Sequence, residues 1–425
     1  MKLPLEFLEE MQSIVPDYER FVRSYGLPHT KAFWVNGNKI ADKELLSRMG
    51  QYAPVPFADH SYYMDSEEKW GNHPFHHAGL MYFQEPSAMA VANAYDTHAT
   101  LALDMCAAPG GKTVHLARKV DFLISNEINP SRAAVLKSNV ERLGFRNVAV
   151  TNHSPLELEA LGEIFDLVLV DAPCSGEGMF RKDEGAILEW SKEHSVSCAI
   201  RQLAILDSAH KVLKRGGMLI YSTCTFSPRE NEGVIEEFLS KYEYEVKEPL
   251  PSVLPHTAHY TDSRMRRFYP HIGVGEGQFF VALTKKEGGE ITSYKPIKYA
   301  KNKNVDEFLM STIGKRLDYC ENNGMFFVPA LRQNMPLKRI VSGGVKIGRM
   351  EGKIFKPDHH FFSAFGGEMF CYEPNEDELK KYIHGEELFG EHKGYGAITV
   401  LGAPLGGFKG SDGRYKNLYP KGLRL

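Results

Sequence analysis

Two short stretches of this 425-residue chain carry a cysteine where a thiol could do chemistry. One is Asp171-Ala172-Pro173-Cys174, closing the apolar run FDLVLVDAP. The other is Ser222-Thr223-Cys224-Thr225, closing MLIYSTC. A cysteine in such a place is either a small buried hydrophobe or a nucleophile. A third stretch, Asp104 to Thr113 (DMCAAPGGKT), joins an apolar run to a helical pattern through two glycines. Glycines there let a ligand approach the backbone, and the following helix offers free N–H groups to a carboxylate. The spacing is neither GxGxxG nor GxxxxGK[ST], which disfavours a phosphate loop. Glu127 closes the next apolar run, FLISNE, where an acid can accept hydrogen bonds from ribose hydroxyls. Its plainer role is to cap the turn that follows. Glycine loop and acid together point to an adenosine ligand with a charged amino-acid tail: S-adenosylmethionine, not NAD.

The residues around the thiols narrow the acceptor. Enzymes that methylate exocyclic amines carry Asp/Asn-Pro-Pro-aromatic at this strand end; here a cysteine replaces the aromatic. Carbon 5 of cytosine poses a different problem, because it is not nucleophilic. A thiolate must first add to carbon 6, giving an enamine whose carbon 5 attacks the methyl group. A base then removes the carbon 5 proton and the thiolate leaves. Such chemistry needs a thiol of lowered pKa near the methyl donor. It also needs an acid group at the cytosine edge, such as Asp171, to support protonation at N3. On residues alone, either Cys174 or Cys224 can be the attacking thiol.

Strands alternating with helices must position these loops. Apolar runs at 101–106, 122–127, 147–152, 165–173 and 218–224 predict five strands. Between them lie helical patterns, one opened by Asn129-Pro130 and stopped by Gly144, another running to Leu213 before Gly216-Gly217. YEVKE and the pair RRFYPH and QFFVALT predict closing strands. Alternation of this kind predicts a parallel, doubly wound α/β sheet, which binds ligands at the carboxyl ends of its strands. Asp104, Glu127, Asn152, Asp171 and Cys224 all fall at such ends.

Composition sets the outer bounds. The chain is 43% hydrophobic and 25% charged, with formal net charge −3. That excludes a low-complexity chain, and no apolar run is long enough to span a bilayer. The acidic N-terminus does not read as a signal peptide, so a cytoplasmic protein is expected. The six cysteines include no close pair, which excludes a zinc ribbon or CxxC redox site. Basic clusters at 331–356 and 403–425, interleaved with Phe355, Phe408, Tyr415 and Tyr419, lean towards an anionic polymer. His73, His76 and His77 are expected to be ordinary loop histidines, and Cys198, Cys320 and Cys371 buried thiols. Arg264, Arg266 and Arg267 are expected to contact phosphate. The domains expected are 1–75, 76–286, 291–370 and 371–425, with KEGGE (286–290) as a linker.

These motifs resemble the NOL1/NOP2/Sun family of RNA 5-methylcytosine methyltransferases, and within it the bacterial RsmF (YebU-like) branch. The similarity is carried by Gln84 to Met89, Asp104 to Thr113, Asp171 to Asp183, Tyr221 to Asn231, Arg267 to Gln278 and the ending GSDGRYKNLYPKGLR. It implies a class I (Rossmann-like) S-adenosylmethionine methyltransferase domain, a small N-terminal RNA-binding domain, and a C-terminal region ending in a PUA-like domain. It implies Cys224 as nucleophile and Cys174 as the thiol that assists proton removal and release. Asp171 is placed between cofactor and cytosine. Cys106, Ala107, Ala108, Pro109, Gly110, Gly111 and Lys112 would cradle the methionine end, with Lys112 also near the base. Glu127 would hold the ribose, and Arg132 would brace the cofactor loop through an acid such as Asp104. The family usually has an aspartate near the adenine; here Asn152 or Ser154 takes its place, with Asn152 favoured. An arginine usually precedes the pair that is here Val35-Asn36; Trp34 stands there, so that RNA contact is lost or replaced by stacking. The expected partner is RNA, 16S ribosomal RNA or the small ribosomal subunit, met by a monomer. Two rivals are the same chemistry on tRNA and a non-catalytic ribosome-assembly factor.

Overall fold

The computed structural model describes residues 3–65 and 67–425, and its strands form four sheets. The central sheet holds five parallel strands: β1 (Ala99–Asp104), β2 (Val120–Asn126), β3 (Val148–Thr151), β4 (Phe165–Asp171) and β5 (Leu213–Thr223). Their order is β5-β4-β1-β2-β3. The chain order reverses at β1, which puts the switch point beside β4. Beyond β5 the strand Gln278–Lys285 pairs antiparallel, followed by Arg266–Phe268, with Tyr244–Val246 on the same strand. These are the closing strands the sequence predicts. β5 starts at Leu213, five residues before the apolar run, because the two glycines sit inside a register shift between Phe165 and Leu167 of β4.

Both faces of the sheet are covered, which is why its strands are apolar throughout. Leu103, Val168, Val170, Leu219 and Tyr221 point to one core, against Leu206, Val212 and Phe238. Ala102, Leu167, Leu169 and Ile220 point to the other, against Leu136, Val140 and Phe145. The helix Pro130–Leu143 begins as expected: the Asn129 side chain accepts from Ser131 N and Arg132 N, and Gly144 ends it at φ 75°.

The N-terminal part has helices Leu5–Ile14 and Tyr18–Ser24 and an antiparallel sheet ordered Ser61–Met64, Lys31–Val35, Met81–Gln84. Its last strand lies past residue 75, the boundary expected from the sequence. Trp34 is wholly buried, stacked on Phe145 of the central domain. Of the two expected outcomes at this position, stacking on RNA is excluded, because alternation along the strand turns the indole into the core. Asn36 next to it donates to Gly79 O and Leu143 O, joining the two domains.

The run after 286 is no free linker. Gly289 N donates to Glu163 Oε1, Tyr294 O–H to Leu161 O, and Ile340–Ser342 pairs antiparallel with β3. A four-stranded sheet (Cys320–Asn322, Met325–Pro329, Gly344–Glu351, Ile354–Pro357) and a five-stranded one within 371–417 complete the chain. The buried Lys39 ammonium donates to Ala78 O, Arg142 O and Pro404 O, so one side chain links three regions. No helix among the described residues is long and apolar enough to cross a membrane.

Several charged expectations change. Arg266 donates to Thr257 and Leu254 carbonyls, and Arg267 forms a buried pair with Glu232 at 2.6 Å. Arg264 is held by Asp262. Arg266 and Arg267 are thus spent inside the protein, not on phosphate, while Arg264 stays partly exposed beside Asp262. Within the 331–356 cluster, Lys346 pairs with Glu141, and Arg339 with Glu157 and Asn152 O. These cations fasten the C-terminal region to the central domain. Phe408, Tyr415 and Tyr419 are core residues, not stacking platforms. His77 Nδ1 meets Tyr419 O–H at 3.1 Å, and His73 caps the helix Pro74–His77. Of the spare thiols Cys198 is buried, Cys320 half-buried and Cys371 exposed.

Candidate active site

Strand register brings the two cysteine loops together. Asp171 at the end of β4 lies opposite Ser222 of β5, and the Ser222 hydroxyl donates to Asp171 Oδ1 at 2.7 Å. Each chain then leaves the sheet and presents a thiol: the Cys174 and Cys224 sulfurs are 3.2 Å apart. The loop after Cys174 is fixed to the one bearing Cys224, since Gly178 N donates to Cys224 O at 2.8 Å. Only glycine fits there, because a Cβ would lie 2.6 Å from Gly277 O and 2.9 Å from Cys224 O.

The two thiols are not equivalent. The Cys174 thiol is held well above the ordinary range, first by its hydrogen bond to Cys224, then by burial and by the charges of Cys224 and Glu230. Glu230 is wholly buried; one oxygen accepts from Ser175 N at 3.0 Å and from Gln202 Nε2 at 2.8 Å, while Oε1 has no partner. Glu177, pushed up to about 7 by burial, accepts from Trp190 Nε1 and Phe226 N and so braces both thiol loops.

Lys112 reaches across from the helix Gly111–Leu116 to Asp171 Oδ2 at 2.7 Å. The ion pair stands at the rim, with Lys112 buried and the Asp171 side chain 32% exposed. Gln278 Nε2 is 3.4 Å from the other Asp171 oxygen. One residue of the next strand thus completes a ring of polar contacts around Asp171.

The glycine loop is clamped at its carbonyls. Asn126 holds both sides, its Nδ2 donating to Met105 O and its backbone carbonyl accepting from Ala107 N. Arg132 Nη2 donates to Ala108 O at 2.8 Å, and Asn139 Nδ2 to Pro109 O at 2.9 Å. Arg132 braces the loop as expected, but its acid is Glu127, 3.7 Å away, and not Asp104. Asp104 lies behind the loop, wholly buried, where Thr113 donates to Oδ2 and Oδ1 has no partner. Burial pushes its carboxyl up to about 7, against the Thr113 hydrogen bond, with Asp171 adding to the rise. Cys106, on the same loop, has its thiol raised mainly by burial.

Glu127 is buried at the end of β2, with Oε1 accepting from Asn129 N at 2.9 Å. It caps the turn, as the plainer reading holds, and keeps Oε2 towards Arg132. Asn152 Nδ2 donates to the carbonyls of Glu127 and Ile128, and Arg339 binds its own carbonyl. Ser154 is occupied as the helix cap of Pro155–Leu158, exchanging bonds with Glu157. Of the two candidates near an adenine, Asn152 is the one beside Glu127.

Sequence reasoning missed Asn126 and Asn139, and Glu177, Glu230 and Gln278 were visible only as parts of motifs. No spacing rule marks such residues, because each acts on a group brought near by the fold, a loop carbonyl for Asn126 and Asn139 and the Asp171 side chain for Gln278.

A 5-4-1-2-3 parallel sheet, with a glycine loop after β1, an acid after β2 and two thiols after β4 and β5, defines a Rossmann-like methyltransferase. Comparison with known proteins names the branch. The pattern described as "16S rRNA methyltransferase RsmB/F" matches residues 91–285, the RsmF N-terminal domain 3–86, and the RsmF PUA domain 370–425. A protein of Erwinia tasmaniensis called ribosomal RNA small subunit methyltransferase F is 30% identical over 99% of this chain and 96% of its own length. One of the same name from Vibrio cholerae is 38% identical over 67% of this chain and 64% of its own. A crystallised methyltransferase homologue from Pyrococcus horikoshii aligns with TM-score 0.56 and 27% identity, over 67% of this chain and all of its own. The chain belongs to the RsmB/F family of 16S rRNA methyltransferases.

Proposed function

We propose that the protein methylates carbon 5 of a cytosine in 16S ribosomal RNA, with Cys224 as nucleophile and S-adenosylmethionine as methyl donor. The observation that carries this is the pair of thiols 3.2 Å apart beside the Lys112–Asp171 pair.

The residues of the glycine loop fit the donor. Asp104 has a buried, unpartnered oxygen suited to an ammonium group, and Glu127 a carboxylate suited to ribose hydroxyls. Loop residues Cys106 to Lys112, held open by Asn126, Arg132 and Asn139, would take the methionine end, and Asn152 the adenine side. When bound, S-adenosylmethionine supplies an electrophilic methyl group.

The chain's own groups do the rest. The Cys224 thiolate adds to carbon 6, forming a C–S bond, while the Asp171–Lys112 pair steadies the polar edge of the base. Carbon 5 takes the methyl group and must then lose its proton. Adduct formation turns the Cys224 sulfur into a thioether, which weakens the hydrogen bond and removes the charge through which Cys224 raises Cys174. Cys174 then gives its own proton to solvent, and its thiolate takes the carbon 5 proton. The C5–H electrons restore the C5–C6 double bond, the C–S bond breaks with its pair returning to Cys224, and the product is freed. The target base must leave its stack to reach this edge. The N-terminal and PUA-type domains would position the RNA, and the reaction belongs in the cytoplasm.

Bisulfite mapping of 16S rRNA from cells lacking the gene tests the reading. One or more cytosines should lose their methyl group, regain it with the wild-type gene, and not with Cys224→Ala. An unchanged rRNA map with a changed tRNA map would overturn it in favour of tRNA.

A further inference from the structure

A second concave site lies between the N-terminal sheet and Lys182, on the loop that follows Cys174. It is a cavity of about 480 Å³ whose walls include Lys31, Lys69, Trp70, Phe83, Gln84 and Lys182. That size suits one nucleotide. Its walls are built into the active site. Gln84 packs on Gly111 of the glycine loop, where a Cβ would lie 2.8 Å from Gln84 Nε2. Gln84 Oε1 also meets His115 Nε2 at 3.1 Å. Lys182 follows Cys174 on the same loop. Buried Glu276 ties the walls together: it accepts from Thr30 N at 2.7 Å, lies 3.4 Å from Arg181 Nη1, and donates its own N–H to Glu85 Oε1. The cavity therefore has a fixed place relative to the thiols.

Its chemistry is aromatic and cationic. The Trp70 N–H is engaged by Glu68 Oε2 at 2.7 Å, and its ring is backed by His73 and Phe75, which together orient the indole in the cavity wall. Phe83 adds a second ring, half-buried like Trp70. The two acids are occupied internally: Glu68 accepts from Tyr52 O–H, Trp70 and Asp65 N, and Glu85 from Ser87, Ala88 N and Glu276 N. Lys69 and Lys182 are exposed at the mouth. Aromatic rings with ammonium groups at the rim are what an unstacked nucleotide requires: rings for the base, cations for the phosphate.

We propose that this cavity holds a nucleotide flanking the target cytosine, its base against Trp70 and Phe83 and its phosphate at Lys69 and Lys182. It rests on the reading of the protein as an RNA cytosine methyltransferase. Extruding the target breaks its stacking with its neighbours. A neighbour seated here offsets that cost and makes the enzyme sensitive to sequence next to the target.

The test uses the full-length protein and an RNA fragment carrying the mapped cytosine. Trp70→Ala and Phe83→Ala should each raise KM for RNA about 10-fold or more, with kcat and S-adenosylmethionine affinity near wild type. Abasic residues placed one at a time around the cytosine should reveal one position whose loss costs the wild type as much as Trp70→Ala and costs that variant nothing more. Wild-type KM in both variants, or equal abasic penalties in wild type and Trp70→Ala at every position, overturns the proposal. A second readout needs no turnover. Trp34 and Trp190 are buried at 0% and 7% exposure, so Trp70 is the tryptophan open to a base. RNA should quench its emission, and the abasic fragment should not. Quenching unaffected by every abasic position also overturns the cavity assignment. Absence of 5-methylcytosine with abasic-sensitive quenching would leave the cavity standing and sink the reaction.

Discussion

Removing Asp171 tests the geometry at the rim of the site. Its carboxylate lies 2.7 Å from Lys112 Nζ, and Lys112 is only 8% exposed. Asp171→Ala would leave a buried ammonium without its acid. Breaking a fully buried pair from one side costs about 3–5 kcal/mol. The Asp171 side chain is 32% exposed, so water can enter and replace part of what is lost. A cost of about 2–3 kcal/mol is expected, lowering the melting temperature of the catalytic domain by about 4–12 °C. Scanning calorimetry without cofactor measures it. Removing the stranded charge as well, in Asp171→Ala/Lys112→Met, should recover most of the loss in melting temperature. It should not recover methyl transfer, because the polar edge that meets the base is gone. An Asp171→Ala protein that melts with the wild type, or a double variant less stable than the single, would refute the pairing.

Three further outcomes follow from other parts of the structure. Asp104 is pushed up to about 7 by burial, so between its unfolded value and about 7 the unfolded chain gives up a proton that the folded one keeps. Stability of the cofactor-free protein should therefore fall as pH rises through that window and level off above it; Asp104→Asn should flatten the slope, leaving the similar contribution of Glu177. Trp34→Ala should cost about 3–5 kcal/mol as a core cavity, measured by denaturant melts, with no change in the salt dependence of RNA affinity. Arg267→Ala should strand buried Glu232 and lower the melting temperature, again without changing that salt dependence; a lost phosphate contact would reduce its slope instead.

The sheet was legible because its strands are nearly unbroken apolar runs and each helix between them carries its own start or stop signal. Asn129-Pro130 and Gly144 bound a helix by local chemistry alone, and the structure has that helix. The thiols and glycine loop were legible for a related reason: parallel strands bring their carboxyl ends to one edge whatever the connections are. What failed was long-range. Trp34 reads as exposed or buried with equal ease until the second domain lies against it. Arg264, Arg266 and Arg267 look like a phosphate site in sequence because Asp262, Glu232 and the Thr257 carbonyl are not seen beside them. Within the C-terminal basic cluster, Lys346 and Arg339 meet acids about 180 to 205 residues away, which the sequence does not show. Charge can be counted in a sequence, but its pairing cannot. The ordering of the thiols came from the family resemblance alone; the structure adds that their sulfurs lie 3.2 Å apart.

The most direct test of the account is the fate of RNA on a protein lacking Cys174. Purified Cys174→Ala, incubated with S-adenosylmethionine and unmethylated 16S rRNA, should methylate about one equivalent and stop. Protein and RNA should then migrate together on a denaturing gel. The Cys174→Ala/Cys224→Ala protein should give no such band. Sustained turnover by Cys174→Ala without the band, or methyl transfer by Cys224→Ala, would contradict the account.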